Sequence, residues 1–62
     1  MMLIFTDAQN NQSIAVNPEY IVVVFTAKNE EGVESVVVNT TTGNIVVAES
    51  YLDVVGRLNA GQ

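Results

Sequence analysis

The side chains able to do chemistry in this 62-residue chain are few and mostly of one sign: seven carboxylates stand against Lys28 and Arg57, with no His and no Cys, for a net charge of −5. General acid–base catalysis near neutral pH draws on His or on a carboxylate with a displaced pKa, and nucleophilic catalysis on Ser, Thr or Cys beside a base. Neither set assembles from these residues, so the sequence predicts a protein that is not an enzyme and takes no small-molecule substrate. The same absences exclude disulfides and zinc sites with nitrogen and sulfur ligands. Glu30, Glu31 and Glu34 lack the spaced Asp, Asn and Gly of a calcium loop and read as solvated hairpin charge, so no metal and no cofactor are expected. Glu49 and Asp53 straddle a predicted helix start, where the helix dipole favours anions, and read as capping groups.

Uncharged polar groups are better placed for recognition. Asn17, Thr42, Gly43 and Asn44 lie in two predicted turns that a small barrel projects from one end, and such groups can bond base edges or backbone amides. Tyr20 follows the first turn and can stack on a base. The plainer alternatives are ordinary hairpin chemistry for the Asn, Thr and Gly residues and a core or interface role for Tyr20. Charge weighs on the choice: nucleic-acid binders carry a basic stripe that meets the phosphates, whereas this surface as a whole repels a polyanion. RNA or single-stranded nucleic acid as a partner therefore requires oligomerisation to gather several copies of Lys28 or Arg57 on one face.

These residues must be positioned by a β-rich frame. Residues 2–6 read as a short apolar strand, followed by a polar, turn-prone segment. Residues 13–17 alternate, with Ile14 and Val16 on one face. Pro18 fixes a turn, and residues 20–28 read as a central strand with apolar side chains on both faces, Tyr20, Val22, Val24 and Thr26 on one and Ile21, Val23, Phe25 and Ala27 on the other. A strand of that kind is expected to be covered on both sides. Gly32 closes a hairpin to a strand over residues 33–40, and Gly43 a tight turn to a fifth over residues 44–48. At Ser50 the period changes. Ser50 and Asp53 have capping-box spacing, and Tyr51, Leu52, Val55 and Leu58 share a helical face over residues 50–59, with Gly61 as a C-cap.

The chain is thus expected to be one mainly β domain over residues 1–62: five short, strongly bent antiparallel strands in a small open barrel, with a C-terminal helix. The longest apolar run, Tyr20–Ala27, is strand-sized, against about 20 residues for a membrane-spanning helix. The N-terminus has neither the basic flank nor the cleavage site of a signal peptide, and a cytoplasmic protein is expected. A domain of this size has a stability margin of roughly 3–9 kcal/mol, and self-association is the staple left to it. The fourth and fifth strands are the expected sticky edges. Val36, Val37, Val38, Ile45, Val46 and Val47 would form the interface of a homo-oligomeric ring.

Val36-Val37-Val38 followed by Gly43-Asn44-Ile45-Val46 resembles the last hairpin of the Sm-like family of small RNA-associated barrels, in particular the Sm-like proteins of marine phages. That resemblance implies a ring-forming five-stranded barrel of SH3-like type, with nucleic-acid contacts in the loops holding Asn17 and Thr42-Gly43-Asn44. The chain differs from the family in having Thr42 where a basic residue precedes the turn Gly, Asn17-Pro18-Glu19 in place of an Asp-containing motif, and a C-terminal rather than an N-terminal helix. The span from Ile4-Phe5-Thr6 through Val16-Asn17-Pro18-Glu19-Tyr20-Ile21 to Val46-Val47-Ala48-Glu49-Ser50 also resembles the FlbD-type flagellar proteins. Met2-Leu3-Ile4-Phe5-Thr6 and the order of five strands then a helix are similar to the carbon-storage regulators. The RNA-binding arginines of those regulators correspond here to Asp7 and the Ala48-Glu49 region.

Overall fold

The computed structural model describes residues 1–60, and the Gly61 cap lies outside the described residues. Five strands precede one helix: β1 (Leu3–Thr6), β2 (Ser13–Val16), a 3-10 turn (Pro18–Tyr20), β3 (Ile21–Lys28), β4 (Glu34–Thr40), β5 (Gly43–Val47) and α1 (Tyr51–Ala60). The mainly β class, the five strands and the C-terminal helix are as the patterning predicts. Tyr20 is not in the strand. Pro18 supplies the fixed φ of a first helical position, and the Asn17 side chain accepts from the Glu19 N–H at 3.0 Å, which caps the turn.

The strands form two antiparallel sheets, β1-β2 and β3-β4-β5. They meet where Asp7 bridges Val47, with Ala8 N–H donating to the Val46 carbonyl at 3.0 Å and Ala48 N–H to the Thr6 carbonyl at 2.8 Å. Among the described residues the strands do not close into a barrel. The expected roles of the third and fourth strands are also exchanged. β4 runs through the middle of its sheet with both edges paired, and β3 lies at the sheet's rim. β4 therefore cannot be the sticky edge, and the longest strand of the fold, eight residues, has one side open.

A β-bulge decides which side chains of β3 reach the core. Ile21 pairs with Thr40 and Val23 with Asn39, so Val22 has no partner of its own and the alternation slips by one. Ile21 and Val24 consequently both pack against the buried cluster of Phe5, Val16, Val38, Val47 and Val54. Val22 is thrown outward, 66% exposed. Of the two apolar faces expected to be covered, the outer one is thus partly bare: Val23 is 47% and Phe25 39% exposed, on the side of the sheet away from the cluster.

Helix α1 lays Val54, fully buried, and Leu58 onto the core. Ser50 caps it by accepting from the Asp53 N–H at 3.2 Å. The return half of the capping box is absent, because the Asp53 carboxylate instead takes two hydrogen bonds from Arg57, at 3.3 and 3.1 Å. Leu52 lies outside the buried face, 81% exposed. Among the described residues no helix is long and apolar enough to cross a membrane.

Candidate functional site

Three of the six residues singled out for nucleic-acid contact come together. Asn17, Tyr20 and Thr42 line a recess of about 190 Å³ with Thr40, Thr41 and Ile45. The 3-10 turn positions Tyr20, whose carbonyl accepts from the Thr41 N–H at 3.0 Å and ties this turn to the β4–β5 hairpin. The Thr40 hydroxyl is buried and donates to the Gly43 carbonyl at 2.8 Å, while accepting from the Thr42 N–H at 3.2 Å. Much of the polar inventory of the recess is spent on holding its own loops. Tyr20 remains 56% exposed at its rim.

The other three lie elsewhere. Lys28 pairs with Glu34 at the far end of β3, roughly 23 Å from Ile21 at strand rise. Asn44 faces Asn39 across the β4–β5 ladder and accepts from its side-chain amide. Gly43 has φ +143°, a conformation L side chains rarely adopt, and its duty is to make the turn. The recess therefore contains no charged group, and the cation assigned to it stands at the opposite end of the sheet.

Arg57 is equally committed. Its guanidinium donates to the Ile4 carbonyl at 2.6 Å, pairs with Asp53, approaches Glu49 at 4.0 Å and stands 5.5 Å over the Phe5 ring. Glu49 accepts from the Thr6 N–H at 2.9 Å and from the Thr6 hydroxyl at 3.0 Å. Burial alone would raise the Glu49 pKa, but the backbone N–H groups of Thr6 and Glu49, the Thr6 hydroxyl and Arg57 outweigh it and hold the carboxylate below its ordinary value. The Glu49 carboxylate thus fastens β1 to the start of α1 and does not cap the helix. The spacing of 43 residues between these partners leaves no local trace in the sequence. Among the described residues no group of three or more acidic side chains converges on a metal position.

The six valine and isoleucine positions expected at an interface are mostly interior. Val37, Val38 and Val47 are buried within this one chain, and Val36, Ile45 and Val46 are half-buried. Three exposed apolar side chains, Val22, Val23 and Phe25, stand together on β3, while Met1, Met2, Ile4, Val33 and Leu52 are exposed at separate places. Phe25 stands in register with Val37, and Val37 with Val46, forming one cross-strand row of the outer face; Val23, Asn39 and Asn44 form the next. Beside the bulge, α1 and β3 leave a groove of about 330 Å³ whose walls include Pro18, Ile21, Val22, Tyr51, Val55 and Leu58. The alternation rule misses the bulge, since no Gly or Pro marks it; the all-apolar run itself is the available signal that β3 is unusual.

No protein-family model matches this chain, and neither a curated protein nor a solved structure matches it.

Proposed function

We propose that this protein is a non-enzymatic interaction module whose working surface is the open edge of β3 together with the apolar row beside it. One observation carries the reading. An eight-residue strand with no charge between Ile21 and Ala27 lies at the rim of its sheet, with Val22, Val23 and Phe25 exposed. Edge strands ordinarily carry guards against pairing, such as inward charges, Pro or shortness. The bulge at Val22 and the flank of α1 stand near one end of β3 and Lys28 at the other, and between them the strand carries no guard. An extended segment of another protein chain added there gains main-chain hydrogen bonds along the strand and apolar contact with Val23 and Phe25. With no His, no Cys and one Lys, the chain offers little for catalysis. The lack of cysteine suits a reducing, cytoplasmic setting, which belongs to the same proposal.

NMR titration of the labelled protein with an extended valine-rich peptide bearing a lysine at each end tests this reading. Shifts concentrated in Ile21–Lys28 are expected. Shifts confined to α1, or none at millimolar peptide, would contradict it.

A second reading, binding of single-stranded RNA by an Sm-like domain, draws support from the recess that unites Asn17, Tyr20 and Thr42. It ranks below the first because phosphate contacts supply most of the affinity of such binders, and neither Lys28 nor Arg57 reaches that recess.

A further inference from the structure

We infer that the strand seated on the open edge of β3 is β3 of a second copy of this chain, paired antiparallel about a two-fold axis through Val24. This rests on the reading of β3 as the working edge and names its occupant.

Three features select that partner. The first is length. The ends of β1 and β5 are bonded to each other around the Asp7–Val47 bridge, which leaves β2 and β3 as the outer rims, four and eight residues long. A head-to-tail contact of β3 with β2 of another copy leaves half of β3 bare, whereas β3 against itself matches strand for strand and closes after two subunits.

The second feature is the arrangement of charge. The uncharged stretch Ile21–Ala27 is bounded by Glu19 before it and Lys28 after it, both exposed. Superposing that stretch on its antiparallel copy centres the pairing on Val24 and sets Lys28 of each chain beside Tyr20 and Glu19 of the other. Parallel pairing would instead set like charges together. Among the described residues every ion pair involves Arg57, so Glu19, and Lys28 although it faces Glu34 across the β3–β4 ladder, hold no salt bridge and can serve.

The third is the facing of side chains. A two-fold axis normal to the sheet keeps each face on its own side, and centring on Val24 puts Val23 of each copy opposite Phe25 of the other. The Phe25–Val37–Val46 row of each outer face then ends on Val23 of its mate, with aromatic–β-branched pairs at the seam. The same symmetry joins two three-stranded sheets into one of six strands and removes the open edge.

Sedimentation equilibrium of the intact chain, with Lys28→Glu, Glu19→Lys and the combined variant, tests the inference. Both positions are exposed, so the fold is retained, which circular dichroism verifies. The wild type is expected to dimerise at about 100 µM, as suits a contact smaller than a standard interface. Each single change should raise the dissociation constant about tenfold by placing two pairs of like charges at the seam, and the combined variant should return to within about twofold of wild type. A dimer indifferent to all three variants would overturn the pairing. A monomer at about 1 mM whose β3 nonetheless binds the valine-rich peptide would overturn the second copy as occupant while leaving β3 as the working edge. A monomer that binds no peptide there would remove both.

Discussion

The guanidinium of Arg57 lies 5.5 Å over the ring of Phe5, the fully buried aromatic at the centre of the core, while its Nη1 donates to the Ile4 carbonyl at 2.6 Å. A residue from the last turns of the helix thereby closes the core over the first strand. One of the chain's two basic groups is spent on holding the fold together and is withdrawn from any partner.

Replacing Arg57 by Ala is therefore expected to cost stability. The cation–π contact, the bond to Ile4 and the packing of its methylenes sum to about 1–2 kcal/mol. Urea denaturation measures this. Lys at the same position should recover only part, since an ammonium cannot bond Ile4 and Asp53 with one planar fork. Self-association per folded molecule should not change.

Acid should destabilise the protein through Glu49. Its folded-state pKa lies below the ordinary value of 4.5 to which it returns on unfolding, so its contribution is complete above that value and is lost as pH falls through the folded pKa. Urea midpoints across pH 3–7 should fall on the acid side for the wild type. In Glu49→Gln they should start lower, by about 1 kcal/mol at neutral pH, and converge with the wild type in acid.

Two valines on adjacent strands, one in the core and one at the rim, should respond very differently to truncation. Val38→Ala opens a cavity in the buried cluster and is expected to cost about 2–3 kcal/mol, a large part of the margin of so small a domain. Val22→Ala, at the outward bulge, should stay within about 0.5 kcal/mol. Urea midpoints of the two variants compare them, and similar costs at the two sites would contradict the bulged register of β3.

In the β3–β4 hairpin Gly32 has φ +82°, and a Cβ there would meet nothing within 4 Å. Asn29 organises the loop by accepting from the Glu31 and Val33 N–H groups at 2.9 and 3.0 Å. Gly32→Ala should accordingly cost about 1 kcal/mol from backbone conformation alone. Gly32→Asn should cost less, because Asn tolerates the left-handed region. Thermal melts of the two variants distinguish them.

Tyr20 and Asn44 separate the two functional readings. Short U-rich and A-rich RNAs should show no anisotropy change with this protein even at about 50 mM salt, where electrostatic binding is strongest. Should binding appear, Tyr20→Ala should weaken it and Asn44→Ala should not, since only Tyr20 lines the recess.

Strand positions, the helix and both glycine turns are legible in the sequence because each rests on local signals: alternation at Ile14 and Val16, Pro18, the loops at Gly32 and Gly43, and the Ser50 cap. The two turns that carry Asn17 and Thr42 are legible for the same reason, whereas the bond from the Thr41 N–H to the Tyr20 carbonyl that unites them is not. What the residues conceal is long-range. Val36-Val37-Val38 looks identical in a central and an edge strand, since apolar residues on both faces record burial and not position in the sheet. Val22 is indistinguishable from its neighbours, yet it alone is bulged. Glu49 and Arg57 sit where capping and helix pairing would place them. Only the fold brings Thr6 and Ile4 to them.

Amide hydrogen exchange across a concentration series probes the β3 edge most directly. In dilute solution the amides of Ile21–Lys28 that point away from β4 should exchange quickly while those of β4 stay protected, and raising the concentration should slow the β3 amides alone. Slow exchange of every β3 amide in dilute solution, unchanged by concentration, would mean that the edge is already closed and the account is wrong.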